Sequence, residues 1–136
     1  MITDFLGYYV WYHECMTPKK ILIAEDEKPM ANALSLKLRS AGFETTLVYD
    51  GESAISAARE SPFDLILLDL VMPKKDGFLV LTELKKLKIT TPVIVSSNLS
   101  QEEDIKRAKE LGARDYFIKS NTTLAEIVEK VKLAIP

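Results

Sequence analysis

The sequence is most informative at Asp64-Leu65-Ile66-Leu67-Leu68-Asp69, where four consecutive apolar residues stand between two carboxylates. An uninterrupted apolar run of this length indicates a strand buried on both faces of a parallel sheet. Asp69 ends the run, and a loop with Pro73 and Gly77 separates it from a helical pattern that begins at Phe78. This unit predicts an α/β fold in which Asp69 stands at the carboxyl end of a buried strand.

The same alternation of short apolar runs and helical patterns extends in both directions from this unit. It predicts five strands, at 21–24, 43–49, 65–68, 92–97 and 115–118. It also predicts five helices, at 29–41, 54–60, 78–87, 100–111 and 123–134. Strands that alternate with helices in this way predict a parallel sheet with helices on both faces.

Composition limits the size and class of the protein. A chain of 136 residues, 47 % hydrophobic and 28 % charged, fits one ordinary domain and is not typical of intrinsic disorder. The net charge of −2 gives no basic field, so we expect no direct binding of nucleic acid. Strand-sized apolar runs and the lack of a leader pattern predict no membrane insertion and a cytoplasmic location.

Cysteine and histidine counts exclude several kinds of site. The only cysteine is Cys15 and the only histidine is His13, so an internal disulfide and a Cys₂His₂ zinc site are impossible. A Ser-His-Asp site would require His13 as the base. We expect both residues to be incidental to function.

The first fifteen residues differ in character from the rest. Residues 1–15 hold five of the chain's aromatics, and the regular pattern begins only after Met16. We therefore divide the chain into an N-terminal extension, 1–15, and a domain, 16–136. The extension is either added in cloning or upstream of a natural start at Met16, or it is an arm that packs on its own domain or on a partner.

Polar side chains follow four of the five predicted strands. Glu25 and Asp26 follow the first, Asp69 the third, Ser96 and Ser97 the fourth, and Lys119 the fifth. Open α/β sheets bind ligands at this edge. Clustered carboxylates need a cation, a lysine or a raised pKa, and hard oxygen ligands suit Mg²⁺. A carboxylate beside a metal and a lysine can also act as a nucleophile toward phosphorus.

Four segments together resemble the receiver domain of two-component response regulators. They are Ile21-Leu22-Ile23-Ala24-Glu25-Asp26-Glu27, residues 64–73 with Asp76-Gly77, Pro92-Val93-Ile94-Val95-Ser96-Ser97, and Gly112-Ala113-Arg114-Asp115-Tyr116-Phe117-Ile118-Lys119. The resemblance covers about residues 19–135. It implies a flavodoxin-like fold whose five parallel strands lie in the order 2-1-3-4-5.

The resemblance implies that Asp69 is a phosphoacceptor and that Mg²⁺ is the cofactor. Asp26 and Asp69 would bind the metal, with the backbone carbonyl of Val71 as a further ligand. Glu25 would act through metal-bound water.

It also implies a switch. Ser97 would move toward the phosphoryl group, Lys119 would pair with that group, and Tyr116 would turn inward when Ser97 moves. The protein would then be a phosphoacceptor switch rather than a classical enzyme.

The implied partners are a sensor histidine kinase or a histidine phosphotransfer protein, and a downstream protein target. The target would bind the face formed by the fourth helix, fifth strand and fifth helix, where Lys106, Arg107 and Lys109 otherwise make a solvated helix face. The resemblance also allows a homodimer.

Five positions depart from the family pattern. Glu25 stands where Asp is more usual, Asn98 where a small residue is usual, and Ser120 where proline follows the lysine. Asn98 would narrow access to the acceptor, and Ser120 removes the expected cis peptide bond. Val71 and Leu99 are apolar where polar residues can guide water, so we predict slow loss of the phosphoryl group.

Three other functions remain open. One is a pseudo-receiver, a binding scaffold without phosphorylation. Another is an aspartate-nucleophile phosphatase, which needs a second acid at the position of Val71. The third is a flavin or nucleotide binder, which needs a phosphate-binding loop where this chain has Glu25-Asp26-Glu27.

Overall fold

The computed structural model describes residues 17–135, so the expectations for residues 1–15, with His13 and Cys15, lie outside the described part. The strands are β1 Lys20–Ala24, β2 Glu44–Val48, β3 Leu65–Leu68, β4 Val93–Ser97 and β5 Asp115–Ile118. The helices are α1 Lys28–Ser40, α2 Gly51–Glu60, α3 Gly77–Lys86, α4 Glu102–Glu110 and α5 Leu124–Ala134, with a 3₁₀ turn at Lys119–Asn121.

The five strands form one parallel sheet in the order β2-β1-β3-β4-β5. The predicted flavodoxin-like order 2-1-3-4-5 is confirmed. All four residues of β3 are buried, because this strand lies between β1 and β4 and both of its faces are covered by helices. The strand order reverses between β1 and β3, and their carboxyl ends lie side by side.

Alternate residues of the strands contribute to two separate hydrophobic cores. One core joins the sheet to α2, α3 and α4, through residues such as Ile55, Phe78 and Ala108. The other joins it to α1 and α5, through residues such as Leu38 and Ile127. The sheet is therefore covered on both faces, as the sequence predicts.

Two local features differ from the sequence prediction. Helix α2 begins at Gly51 rather than Ala54, because the Asp50 side chain accepts a hydrogen bond from the Ser53 amide and caps the helix. The chain also makes a 3₁₀ turn directly after β5. Residues 17–135 contain no cis peptide bond, and none of their helices is long and apolar enough to cross a membrane.

Candidate functional site

The sheet fixes the backbone of the acidic residues. The Asp69 amide donates to the Ala24 carbonyl at 3.0 Å, and the Glu25 amide donates to the Val48 carbonyl at 3.0 Å. The hydrogen-bond ladder thus runs one residue beyond β1 and β3. This extension brings the two carboxylates to the same edge of the sheet with little backbone freedom.

Lys119 lies between these two carboxylates. Its Nζ donates to Asp69 Oδ2 at 3.1 Å and also forms an ion pair with the Glu25 carboxylate. All three side chains are buried. Such a buried group is stable only while its charges are paired, because an unpaired charge loses hydration without compensation.

Burial and charge also change the titration of these groups. Burial is the main reason that the pKa of Glu25 rises from 4.5 to about 7; Asp69 raises it further and Lys119 opposes the rise. Burial lowers the pKa of Lys119, but its contacts with Glu25 and Asp69 outweigh burial and raise that pKa. Lys119 therefore keeps its positive charge, and Glu25 can bind a proton near neutral pH.

A third carboxylate completes an acidic cluster. Oxygen atoms of Glu25, Asp26 and Asp69 lie within 4.8 Å of one another, and Asp26 is the exposed member. This is a set of hard oxygen donors with room for water, which fits Mg²⁺. The Val71 amide donates to Asp69 Oδ1 at 3.3 Å and orients the carboxylate from the loop side.

Ser97, the last residue of β4, and Tyr116 of β5 both contact the loop that follows β4. Ser97 is buried, and its Oγ accepts a hydrogen bond from the Leu99 amide at 3.2 Å. The Tyr116 ring is also buried, and its hydroxyl donates to the Leu99 carbonyl at 2.6 Å. Burial raises the pKa of Tyr116, so its hydroxyl keeps its proton. The tyrosine ring already lies inward in this structure.

These residues surround a cleft of about 280 Å³. Its lining consists of Asp26, Glu27, Asp69, Val71, Ser97, Asn98, Leu99 and Lys119. Ser96, the other serine of β4, does not line the cleft; its Oγ is buried and has no hydrogen-bond partner among the described residues. Ser97 is therefore the hydroxyl-bearing residue of β4 that borders the cleft.

Two features of this site were missed by the sequence analysis. Glu27 lines the cleft, and its amide donates to Glu25 Oε2 at 3.3 Å. Asn98 Oδ1 accepts a hydrogen bond from the Ser120 amide at 3.1 Å. Glu27 directly follows the acidic pair, which is a usable signal, whereas nothing in the sequence pairs Asn98 with Ser120.

The family model of the response regulator receiver domain matches residues 21–132. Among solved structures, the chain is similar to the receiver domain of Francisella response regulator 1452, with 32 % identity and a TM-score of 0.81. That match covers 85 % of this chain and 95 % of the other.

The chain is also similar to a two-component response regulator from Clostridium difficile, with 28 % identity and a TM-score of 0.80, over 85 % of this chain and 94 % of that one. The chemotaxis response regulator CheY4 of Vibrio cholerae shares the fold, with 24 % identity and a TM-score of 0.79, over 88 % of this chain and 100 % of that one.

Proposed function

Because this chain belongs to the family of response regulator receiver domains, we propose that it accepts a phosphoryl group on Asp69. Membership of the family places the protein in two-component signalling. The observation that carries the proposal is the arrangement around Asp69: a buried carboxylate paired with Lys119, beside two more carboxylates, at the floor of an open cleft.

The chemistry is a transfer from nitrogen to oxygen. A carboxylate oxygen of Asp69 attacks the phosphorus of a phosphohistidine, the P–N bond breaks, and the imidazole leaves. Lys119 balances the charge on the phosphoryl oxygens, and no group of the protein has to be oxidised or reduced. The donor is the phosphohistidine of a sensor kinase or of a phosphotransfer protein.

The acidic cluster would hold Mg²⁺. Asp26, Asp69 and the Val71 carbonyl would be direct ligands, and Glu25 would act through bound water. When bound, the metal supplies positive charge that offsets the repulsion between the carboxylates and the incoming phosphoryl group. Glu25 would then remain ionised, because the metal favours its charged form.

The output is a change in a protein-binding surface. Ser97 and Tyr116 both contact Leu99, so a movement of Ser97 toward a phosphoryl group is transmitted through one loop to the tyrosine. Phosphorylation would shift the population toward the moved state. The affected surface would be formed by α4, β5 and α5, and it would bind a downstream protein or a second copy of the chain.

The pseudo-receiver alternative predicts the same fold without phosphorylation. The phosphatase alternative lacks its second acid, because Val71 occupies that position. Both alternatives differ from a phospho-receiver in whether a phosphoryl group stays on the protein.

The deciding experiment is intact mass spectrometry after incubation with acetyl phosphate and Mg²⁺. We expect a gain of one phosphoryl group, which is lost in Asp69→Asn and when the metal is chelated. Asp64→Asn is a matched control, because Asp64 lies at the opposite end of β3, where it accepts a hydrogen bond from the Lys20 amide. Absence of the gain in the wild type would favour the pseudo-receiver.

A further inference from the structure

A side-chain to backbone hydrogen bond joins two loops that border the cleft. Asn98 Oδ1, in the loop after β4, accepts from the Ser120 amide in the 3₁₀ turn after β5, with a distance of 3.1 Å across 22 positions of sequence. Asn98 and Ser120 are two of the positions at which the sequence departs from the receiver pattern. The structure brings these two departures into direct contact.

The two substitutions compensate for each other chemically. A proline at position 120 has no amide hydrogen, so it leaves no donor at the start of the turn. Ser120 restores that donor near the beginning of a short helix, where amides lack partners within the helix. A small residue at position 98 has no side-chain acceptor, whereas the Asn98 carboxamide supplies one.

Each loop carries part of the proposed machinery. The first loop follows Ser97 and includes Leu99, whose amide and carbonyl are bound by Ser97 and Tyr116. The second begins at Lys119, which pairs with Asp69. The Asn98–Ser120 bond therefore ties the loop that holds Leu99 to the turn that begins at Lys119, and both Asn98 and Lys119 line the cleft.

We propose that Asn98 is a positioning residue that latches these two loops and thereby restricts access to Asp69. The proposal rests on the proposed function of Asp69 as the acceptor. Asn98 is exposed and lines the cleft, so its side chain would swing toward solvent without the bond. With the bond, small phosphodonors and water reach the carboxylate through a narrower opening.

The latch predicts how fast the phosphoryl group is gained and lost. An exposed hydrogen bond contributes modestly, so its removal is expected to speed both loading from acetyl phosphate and later hydrolysis about two- to tenfold. Both rates change in the same direction, because the same opening admits the phosphodonor and water.

The variants separate the hydrogen bond from the bulk of the side chain. Asn98→Leu keeps the number of side-chain heavy atoms and removes the acceptor, and Asn98→Ala removes the acceptor and most of the side chain. Ser120→Pro removes the donor and also restricts the backbone of Lys119, which lines the cleft. Asn121→Ala is the matched control, since this asparagine is exposed in the same turn and has no side-chain hydrogen bond among the described residues. The double variant Asn98→Ala/Ser120→Pro tests whether the two positions act as one.

Two readouts are needed. The first is hydrogen exchange of the Ser120 amide by NMR, on protein without phosphodonor. We expect slow exchange in the wild type and Asn121→Ala, and faster exchange in both Asn98 variants. The second is the rate of gain and loss of the phosphoryl group by intact mass, where the effect of the double variant should be smaller than the sum of the two single effects.

Specific results would overturn the latch. They are equal Ser120 exchange in wild type and Asn98→Ala, wild-type phosphoryl kinetics in Asn98→Leu, or additive effects in the double variant. Failure of the wild type to gain a phosphoryl group would instead defeat the proposed role of Asp69. The exchange measurement would then still decide whether the bond exists in solution, so the two failures are distinguishable.

Discussion

Glu25 shares its buried surroundings with a second carboxylate and one lysine, and burial is the main cause of its raised pKa, with Asp69 adding to the rise and Lys119 opposing it. Lys119 is in contact with both Glu25 and Asp69, and Asp26 lies beside them at the surface. One buried positive charge cannot fully offset two buried negative ones. Near neutral pH, a bound proton or a bound cation must relieve the difference at Glu25.

The raised pKa of Glu25 predicts an unusual dependence of stability on pH. The pKa of Glu25 is about 7 in the folded protein and has an ordinary value of 4.5. Between these values the folded state binds more protons than the unfolded state, so the free energy of unfolding falls as pH rises. At about 1.4 kcal/mol per pKa unit, the loss is on the order of 2–3 kcal/mol between pH 5 and pH 8.

Urea unfolding at several pH values, in the absence of divalent metal, measures this loss. Glu25→Gln should flatten the curve, and Glu44→Gln, at an exposed position of β2, should leave it unchanged. Added Mg²⁺ should weaken the pH dependence, because the cation replaces the proton. An equal slope in the wild type and Glu25→Gln would show that another group is responsible.

Val71 and Leu99 set a second property of the site, the lifetime of a phosphorylated Asp69. Both are apolar and line the cleft, and the Val71 side chain is 60 % exposed, so it offers an approaching water no hydrogen bond. We predict that the phosphoryl group persists for longer than a few seconds. Val71→Asn should shorten this half-life about three- to tenfold, because its carboxamide can hold the attacking water.

The half-life is measured by intact mass at intervals after acetyl phosphate is removed. Leu79→Asn is the control, because Leu79 is exposed in the first turn of α3 and does not line the cleft. A wild-type half-life below a few seconds would contradict the prediction.

The sequence identified candidate site residues where a charged side chain directly follows a predicted strand. Glu25, Asp69 and Lys119 each follow a buried apolar run, and parallel strands bring such positions to one edge. The contact between Asn98 and Ser120 could not be predicted, because it depends on how two loops approach each other. Periodicity describes the elements and gives no information on the path of the loops between them.

At the scale of elements, glycines decide how closely helices approach the site. Gly51 and Gly77 are the first residues of α2 and α3. A Cβ on Gly51 would lie 1.9 Å from the Lys75 carbonyl oxygen, so this position requires glycine. The sequence pattern predicted this helix only from residue 54, and it therefore missed the first turn of α2.

Gly77 also lies close to the backbone of the proposed acceptor, Asp69. A Cβ there would lie 2.5 Å from the Asp69 carbonyl oxygen and 2.7 Å from the Leu70 Cα, and both are backbone atoms at the end of β3. Gly77→Ala should therefore displace Asp69 and lower stability by about 1–3 kcal/mol. It should also weaken Mg²⁺ binding, measured by calorimetry.

Gly112→Ala provides the matched control for this prediction. Gly112 has a φ of +110°, so alanine is strained there, but it lies before β5, at the edge of the sheet away from the site. This variant should lose stability and keep its Mg²⁺ affinity. If Gly77→Ala bound Mg²⁺ as well as Gly112→Ala does, α3 would not position the acceptor.

At the scale of the whole molecule, strand order places the site. Strands β1 and β3 are neighbours in the centre of the sheet, although α1, β2 and α2 separate them in sequence. Alternation of apolar runs predicts parallel strands but does not specify which strands pair. The correct order came from the resemblance to receiver domains, because pairing depends on contacts distant in sequence.

Residues 16–136 are predicted to form a domain that folds without residues 1–15. Each core draws on all five strands, and together the two cores draw on all five α-helices, within residues 21–135. A domain with its own buried core on each face of the sheet does not need further residues to close it.

A chain that starts at Met16 should therefore fold and should keep the wild-type melting temperature to within about 2 °C. Thermal unfolding followed by circular dichroism measures this, with light scattering on both chains to compare their mass. A lower melting temperature would mean that residues 1–15 pack on the domain, and a smaller assembly would mean that their aromatic residues contact a partner copy.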